Sequence, residues 1–294
     1  MSIFLDFDGT ITVNDTIGEL AAAALRIQSE RGIDLDRQWD AVVKAYLDDY
    51  NRHAKGYHAQ ESARCRPEHE VAFLRAGKAV ELRSLDRINA CAVFKGISAD
   101  ELRRAGREAV ASGRVRLRPG FRAFLDRRLR ESFRVFVISV NWSTAFIEGA
   151  LDHPGVRVIA NHVREDGTVV GPELLNGGAD APLRNLTNSC DKLDVMRAVM
   201  EEDPRGPGLC SYYFGDSITD LECLLHATSG IVVSDTGDSK LLETLRRIGE
   251  DVPRSSEVSA ETSASAATPN KCAWAADYNE VTEHILFRFK HDKA

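Results

Sequence analysis

The sequence predicts an α/β protein in which a doubly wound parallel sheet carries an all-helical domain inserted after its first strand. Short apolar runs at residues 3–5, 133–140 and 209–214 end in polar residues and lead into helical patterns, which is typical of parallel strands joined by helices. Between residues 14 and 115, apolar residues recur instead at three- and four-residue spacing. We therefore expect a core domain of residues 1–13 and 116–294 and a helical domain of residues 14–115.

Length and charge limit the classes of function. A chain of 294 residues can bury a large core. Its formal net charge of −7 argues against nucleic acid or an anionic membrane as the main partner. No apolar run approaches the ~20 residues of a membrane span, and the first residues lack the pattern of a signal peptide. We expect a cytoplasmic protein that is a monomer or a homodimer.

Cysteine and histidine give no sign of a metal site. The six cysteines form no C-x-x-C pair and no spacing that suits zinc, so we expect reduced thiols. The eight histidines are scattered, and none is assigned a catalytic role.

Two carboxylates end the first strand. Asp6 and Asp8 occupy positions i and i+2, so they project together at the carboxyl end of the sheet, where open α/β folds bind ligands. Like charges this close favour a shared proton or a cation, and Mg²⁺ would also accept the oxygens of a phosphorylated substrate. The alternative is an aspartate pair at an ordinary turn. Gly9 permits a close backbone approach, and Thr10 adds a hydroxyl beside it.

The segment between residues 14 and 115 is predicted to be helical. Thr16 and Glu19 fit a capping box for the first helix, and further helices are predicted near residues 38, 68 and 98. Asp15 precedes this helix and could be an N-cap.

Three polar side chains later in this segment are further candidates for phosphate or substrate contacts: Arg83, Arg87 and Asn89. On an exposed helix, a solvated face is the simpler interpretation of such residues.

The second strand ends in Ser139, which precedes a loop that contains Asn141. A hydroxyl at this point, over a helix N-terminus, can donate to a phosphate oxygen, although helix capping is an alternative. Asn141 is a candidate for substrate contact.

Lys192 lies in the first turn of a later helix, where the macrodipole favours anions. An ammonium that points at a phosphate would explain this placement, and a surface lysine is the alternative.

The strand at residues 209–214 leads into Gly215 and then Asp216 and Asp220, which are four residues apart at a strand-to-helix turn. Both acids could reach one metal ion, Asp216 directly and Asp220 directly or through water. Helix capping by both acids is the alternative.

The remaining chain completes the sheet. Strands are predicted at residues 156–161 and 230–233, and Asp166-Gly167 predicts a hairpin. A helix over residues 238–248 precedes residues 253–270, which are rich in Ser, Ala and Thr and are predicted to be a flexible loop. A loop is also predicted over residues 176–188, and a strand and closing helix over residues 274–290.

The order and context of four motifs resemble the haloacid dehalogenase-like (HAD) superfamily. They are the D-F-D-G-T-I-T run from Asp6, the strand-ending Ser139, Lys192 at a helix start, and G-D-x-x-x-D with Asp216 and Asp220. The resemblance implies a Rossmann-like core. It also makes the helical insertion similar to a C1 cap, a lid over the active site.

The resemblance further implies roles for these residues. Asp6 is expected to be the nucleophile that forms an aspartyl-phosphate, and Asp8 the general acid and then the general base. Ser139 and Lys192 are expected to bind the transferring phosphoryl group. The implied cofactor is Mg²⁺, held by Asp6, Asp8, Asp216 and Asp220. The expected phosphate or substrate contacts are Gly9, Thr10, Asp15 and Asn141.

These expectations describe a Mg²⁺-dependent phosphatase acting on a small phosphorylated metabolite. Residues 137–143 and 215–225 are similar to a fungal and plant branch that includes the phosphatase domain of plant thiamine monophosphate phosphatases. The substrate candidates are therefore thiamine monophosphate, phosphoserine-like compounds and nucleotide monoesters. A phosphomutase of the same superfamily and a non-catalytic, phosphometabolite-binding or regulatory protein are the alternatives.

Overall fold

The computed structural model describes residues 1–176, 184–202, 210–258 and 271–285. Its strands, numbered along the chain, are β1 Ser2–Leu5, β2 Arg134–Ile138, β3 Val156–Ile159, β4 His162–Val163, β5 Val169–Val170, β6 Ser211–Gly215, β7 Ser229–Val233 and β8 Cys272–Ala275. β4 and β5 form the predicted hairpin, and the other six strands form one sheet.

The helices lie between these strands and after the last of them. They are α1 Ile17–Glu30, α2 Asp36–Gly56, α3 Pro67–Cys91, α4 Ala99–Ala111, α5 Phe121–Arg130, α6 Thr144–Leu151, α7 Ser189–Glu201, α8 Leu221–His226, α9 Lys240–Arg247 and α10 Tyr278–Glu280. A π-helical turn, Val281–Ile285, continues α10. None of the helices in the described ranges is both long and apolar enough to cross a membrane.

The six-stranded sheet has the order β3-β2-β1-β6-β7-β8, and all of its neighbouring strands are parallel. The chain therefore moves outward from β1 to β3 and returns to the other side of β1 with β6. Ligands of doubly wound sheets bind at such a reversal, at the carboxyl ends of the two central strands. The predicted α/β class and the parallel sheet are confirmed.

Alternation along β1 places apolar side chains on both faces of the sheet. Ile3 and Leu5 pack in a core with α5, α6 and α10, whereas Phe4 packs on the opposite face with α7, α8 and α9. Phe4 stacks on Phe136 with ring centroids 5.2 Å apart. Because each of these side chains is fully buried, each contributes about 1.5–3 kcal/mol of hydrophobic stabilisation. This rigid strand carries the acids that follow it.

The described chain between β1 and α5 contains helices and no sheet strand. Its last helix, α4, crosses α6 with almost no space between the two backbones. A Cβ on Gly106 would lie 2.1 Å from the Phe146 carbonyl oxygen, and a Cβ on Gly149 would lie 1.9 Å from the Arg103 carbonyl oxygen. The two glycines therefore allow α4 to anchor the helical segment on a helix of the sheet domain.

Local predictions differ from the structure in a few places. The capping box predicted at Thr16 and Glu19 is wrong, because Thr16 makes no side-chain cap and Glu19 pairs with Arg114 at 3.2 Å. The predicted flexible loop, residues 253–270, is described only to residue 258 and includes a 3₁₀ turn, Ser255–Glu257. Most of the loop predicted over residues 176–188, and the end of the closing helix beyond residue 285, lie outside the described residues.

Candidate active site

Acids from two distant parts of the chain meet where β1 and β6 end. Asp6 and Asp8 follow β1, and Asp216 and Asp220 follow β6. Oxygen atoms of Asp6, Asp216 and Asp220 lie within 4.8 Å of one another. The site therefore forms at the reversal of strand order, as expected for a doubly wound sheet.

Lys192 is a fully buried cation between two of these acids. Its Nζ lies 2.8 Å from Asp6 Oδ1 and 2.7 Å from Asp220 Oδ1. Burial alone would lower the pKa of Lys192, but the negative charges of Asp220 and Asp6 outweigh it and raise the pKa. The lysine therefore stays charged, and its unusual place in the first turn of α7 is explained by its carboxylate partners.

Asp220 is held by donors on both of its oxygens. The Tyr213 hydroxyl donates to Oδ1 at 2.7 Å, beside the contact with Lys192. The backbone amides of Asp216 and Ser217 donate to Oδ2 at 3.2 and 3.1 Å. Asp220 therefore fixes both the lysine and the turn that follows β6.

Asp216 packs directly against the loop after β1. The Thr10 hydroxyl donates to Asp216 Oδ1 at 2.8 Å. Gly9 has a φ of +75°, and a Cβ at this position would lie only 2.2 Å from Asp216 Oδ2. Burial and then the charge of Asp220 raise the pKa of Asp216 to about 7. Glycine is therefore required at position 9 both for the backbone angle and for the space that Asp216 occupies.

The chemistry of this cluster suits a divalent cation. Burial, followed by the charge of Asp220, raises the pKa of Asp6. Asp6 Oδ1 is buried, and among the described residues its one ion-pair partner is the Lys192 ammonium, 2.8 Å away. Carboxylate oxygens are the ligands that Mg²⁺ prefers. Asp6, Asp216 and Asp220 therefore fit a bound Mg²⁺ ion.

The Asp8 carboxylate is not part of the three-residue cluster, so its expected role as a fourth metal ligand stays a prediction, and both of its carboxylate oxygens accept hydrogen bonds. The backbone amide and the hydroxyl of Thr16 donate to Asp8 Oδ1 at 2.7 and 2.5 Å. The side-chain amide of Asn141 donates to Asp8 Oδ2 at 3.0 Å. Burial and then the charge of Asp15 raise the pKa of Asp8, and the hydrogen bonds only partly offset this. Asp8 is therefore a positioned carboxyl group suited to carry a proton.

Thr10, Asn141 and Gly9 lie in the predicted place, but their polar groups are already committed. Thr10 and Asn141 are fully buried. The Thr10 hydroxyl donates to Asp216, and the Asn141 side-chain amide donates to Asp8. The Gly9 amide donates within its own loop, to the Thr12 hydroxyl at 3.1 Å. This geometry favours support of the acids over the direct substrate contact that the sequence suggested.

Ser139 and Asp15 can each make a further polar contact. Ser139 Oγ is fully buried and accepts a hydrogen bond from the backbone amide of Asn141 at 3.1 Å. The hydroxyl proton of Ser139 is not used in this bond and can be donated to another acceptor. Asp15 is exposed and accepts from the Ile17 amide at 2.8 Å, at the start of α1. The N-cap position of α1 is Thr16, so Asp15 precedes the cap, and its side chain also lines a cavity.

The polar residues of α3 that were considered as phosphate contacts bind elsewhere. Arg83 and Arg87 donate to Asp49 at 3.1 and 2.6 Å, and Asn89 accepts from the Val169 amide at 2.9 Å. These contacts join helices α2 and α3 and fix the hairpin.

Sequence reasoning missed Arg118, which is buried beside the acids. Its Nε and Nη2 donate to the Gly9 carbonyl oxygen at 3.0 and 2.8 Å. Its Nη1 pairs with Asp235 and donates to the Ala276 carbonyl oxygen at 3.3 Å. The guanidinium thus ties the loop after β1 to the loops after β7 and β8. The available signal was its position directly before Pro119, where the chain re-enters the sheet domain.

A cavity of about 330 Å³ lies between the helical segment and the loop after β2. Its lining residues come from α1 and the loop before it, from α2 and α3, and from the loops that precede α6 and α7. They are Asp15, Ile17, Gly18, Trp39, Val42, Val43, Tyr46, Glu81, Ser84, Leu85, Ile88, Val140, Trp142, Leu186 and Thr187. Val140 and Trp142 flank Asn141, whose side-chain amide donates to Asp8.

Comparison with known families agrees with this geometry. The family model for haloacid dehalogenase-like hydrolases matches residues 3–225, a span that contains all four motifs. The chain belongs to this HAD family. The predicted superfamily is therefore confirmed.

Relatives in two yeasts and a plant share sequence over most of this chain. Cold tolerance protein 1 of Saccharomyces cerevisiae is 26% identical over 84% of this chain and 83% of its own length. A CTO1 family protein of Schizosaccharomyces pombe is 29% identical over 86% and 87%. The Bifunctional TH2 protein, mitochondrial, of Arabidopsis thaliana is 24% identical over 84% of this chain, which spans 40% of that protein.

Among solved structures, a Bordetella pertussis protein of unknown function aligns with a TM-score of 0.51 and 17% identity, over 84% of this chain and 95% of that one. A phosphoserine phosphatase, solved as a phospho-aspartyl intermediate analogue, aligns with a TM-score of 0.49 and 15% identity, over 96% of each chain. At these identities the likeness concerns the fold alone.

Proposed function

We propose that this HAD protein is a phosphatase that hydrolyses a small-molecule phosphate monoester through an aspartyl-phosphate on Asp6. One observation carries the proposal. Asp6 pairs with the buried ammonium of Lys192, in a cluster of acids that suits a divalent cation, beside a second acid that can carry a proton. Phosphoryl transfer needs this combination of nucleophile, positive charge and positioned acid.

The first step is attack of an Asp6 carboxylate oxygen on phosphorus. A bond from phosphorus to Asp6 forms while the bond to the leaving alcohol breaks. Lys192 offsets the charge of the nucleophile and of the phosphoryl oxygens. Ser139, whose hydroxyl proton has no role in the backbone contact with Asn141, would donate to a phosphoryl oxygen.

Asp8 handles the protons in both steps. Because its pKa is raised, more of Asp8 is protonated near neutral pH than of an exposed aspartate, and it can give this proton to the leaving alcohol. As a carboxylate, it then takes a proton from the water that attacks the phosphorus of the aspartyl-phosphate. This second step releases inorganic phosphate and restores both acids. Thr16 and Asn141 hold the carboxyl group in one orientation throughout.

Mg²⁺ is the proposed cofactor, with Asp6, Asp216 and Asp220 as the residues that would hold it. When bound, it would supply positive charge that reduces the repulsion among these carboxylates and the phosphate.

We further propose that residues 14–115 act as a cap, with residues 1–13 and 116–294 as the core. Two ion pairs support this by joining α3 to core helices, Lys78 with Asp191 at 2.5 Å and Arg75 with Glu222 at 2.6 Å. Asp191 is fully buried and directly precedes Lys192, so a substitution at the Lys78–Asp191 pair is expected to affect the site. A seated cap would exclude water from the phosphoryl group.

The proposed partner is a small phosphorylated metabolite. Thiamine monophosphate, phosphoserine-like compounds and nucleotide monoesters are the candidates that the motif resemblance suggested. A phosphomutase would use the same four motifs but return the phosphoryl group to a second hydroxyl of the substrate, so release of inorganic phosphate separates the two functions.

The experiment is hydrolysis of p-nitrophenyl phosphate with Mg²⁺ and with EDTA, by the wild type and by Asp6→Asn. The matched control is Asp40→Asn, at an exposed position of α2. We expect Mg²⁺-dependent phosphate release that Asp40→Asn keeps and Asp6→Asn lacks. Equal rates for Asp6→Asn and the wild type would overturn the proposal.

A further inference from the structure

Helix α2 packs against α3 but is otherwise weakly buried for its length. Only Val42 and Asp49 of its 21 residues are buried, whereas the 13-residue helix α4 buries four of its residues. Most helices in proteins are stabilised by the packing of an apolar face rather than by intrinsic propensity. A long helix with so little burial therefore has a face that a partner could still cover.

Three large apolar side chains form a stripe along this open face of α2. Val43, Leu47 and Tyr50 are 42%, 51% and 42% exposed, and their spacing of four and then three residues places them on one side of the helix. Val43 also lines the cavity beside this helix, but Leu47 and Tyr50 do not. Single exposed apolar residues are normal on a protein surface, whereas a continuous row of them indicates an interaction surface.

The charges at the two ends of α2 indicate what this partner is. The first turn carries Asp36, which lies seven residues before Val43 and so on the same face, and the last turn carries Lys55. Both residues are exposed, and no ion pair to either is found in the described part of the chain. The middle of the apolar stripe coincides with the middle of the helix, so the acid and the lysine lie at similar distances on either side of it.

A second copy of α2, running antiparallel to the first, complements both features. A two-fold axis at the middle of the stripe brings the two Leu47 side chains together and sets each Val43 against Tyr50 of the second copy. At 1.5 Å per residue, each Asp36 then lies within about 3 Å, measured along the helix axis, of Lys55 of the second copy. A parallel pair would instead set acid against acid and lysine against lysine, which opposes association.

We propose that α2 is the contact surface of a homodimer, in which two copies of the chain pair antiparallel through Val43, Leu47 and Tyr50. Asp36 and Lys55 set the direction of the pairing. A single pair of helices covers less than the ~1,200 Å² of a stable complex, so the dissociation constant is expected to be on the order of micromolar. The dimer does not depend on the proposed phosphatase function.

Sedimentation velocity of the full chain, between about 1 and 200 µM, tests the dimer. We expect a monomer–dimer equilibrium with a Kd between about 1 and 100 µM. Leu47→Glu sets two carboxylates together at the centre of the interface and should weaken association at least about 100-fold. The control Ala41→Glu, at an exposed position on the opposite side of the same helix, should keep the wild-type Kd. A circular dichroism melt of each variant shows whether it is folded.

Charge reversal tests the direction of the pairing without changing the apolar stripe. Asp36→Lys and Lys55→Asp should each weaken association about tenfold, because each sets like charges together at both ends of the interface. The double variant restores both opposite-charge pairs and should return to within about threefold of the wild-type Kd.

Each of these measurements can overturn the proposal. A wild type that stays monomeric at about 200 µM does so, and so does a folded Leu47→Glu that dimerises as tightly as the wild type. The antiparallel pairing is wrong if the single charge reversals leave the Kd unchanged, or if the double variant associates no more tightly than the single ones.

Discussion

Substitution of Gly9 by alanine tests how the loop after β1 fits the acids after β6. Position 9 has a φ of +75°, and an added Cβ would lie 2.2 Å from Asp216 Oδ2. A control is available within the same chain. Gly32 has a φ of +80°, and a Cβ there would have nothing within 4 Å. Both substitutions impose the same backbone strain, but only the first displaces a carboxylate of the site.

The magnitudes follow from this geometry. The left-handed backbone costs an alanine about 1–2 kcal/mol at either position. At Gly9, the Asp216 carboxylate must also move by about 1.2 Å to reach the ordinary contact distance of 3.4 Å. This movement breaks the hydrogen bond from Thr10, which is worth about 0.5–1.5 kcal/mol. We expect a fall in Tm of about 2–8 °C for Gly32→Ala and about 3–14 °C for Gly9→Ala.

Activity should separate the two variants more clearly than stability. A misplacement of about 1 Å in a catalytic group can reduce the rate about 100-fold. We therefore expect Gly9→Ala to lose about 100-fold in the rate of p-nitrophenyl phosphate hydrolysis and most of its stabilisation by Mg²⁺, measured by thermal shift. Gly32→Ala should keep both within about twofold. Equal activity and an equal Mg²⁺ response in the two variants would refute the packing argument.

Three further predictions concern the charged residues. Lys192→Met leaves buried carboxylates unpaired at a cost of about 3–5 kcal/mol, so Tm should fall by about 6–20 °C in a thermal melt. The control Lys44→Met, at an exposed ion pair, should change Tm by less than about 3 °C. Equal Tm values for the two variants would contradict this prediction. Arg118→Met removes two donors from the Gly9 carbonyl and should lower kcat about 10–100-fold. The control Arg116→Met, at an exposed position, should retain the wild-type kcat. Steady-state kinetics of the two variants tests this, and equal kcat values would contradict it. The folded-state pKa of Asp216 is about 7, above its unfolded value near 3.8. Its contribution to the stability of the Mg²⁺-free protein is therefore lost as pH rises from about 4 to about 7. At acid pH the folded Asp216 carries a proton, which Mg²⁺ must displace in order to bind. The Mg²⁺-induced rise in Tm should therefore grow from pH 5.5 to 7.5, and a constant rise would contradict this assignment.

Much of the fold could be predicted because its signals are local. Apolar runs marked the strands around Phe4 and residues 133–140, and each core strand ended close to its predicted limit. The site could be located for a related reason, since residues that follow parallel strands meet at one edge of the sheet. Neither argument needs knowledge of contacts between distant segments.

The hydrogen-bond partners within the site could not be predicted in the same way. The Thr16 hydroxyl could have capped α1, but in the fold it lies beside Asp8 and donates to it. Thr10 and Asn141 looked available for a substrate, yet each supports an acid from another part of the chain. Short-range sequence patterns do not specify which of several acceptors a hydroxyl or amide will reach.

The cavity was also beyond sequence reasoning. Trp39, Glu81 and Trp142 are separated by forty or more residues and lie on two helices and a loop. Each is ordinary in its local context, because aromatic residues on helices usually pack in a core. Only the packing of the helical segment against the loop after β2 brings the aromatic and acidic side chains together.

The central claim is that Asp6 carries the phosphoryl group, and trapping that intermediate tests it most directly. Wild-type protein is mixed with Mg²⁺ and p-nitrophenyl phosphate, quenched in acid during turnover and reduced with borohydride, which converts an aspartyl-phosphate to homoserine. Mass spectrometry of the N-terminal peptide should then find homoserine at position 6, and only when substrate is present. Rapid turnover with unmodified Asp6, or with homoserine at another aspartate, would contradict the claim.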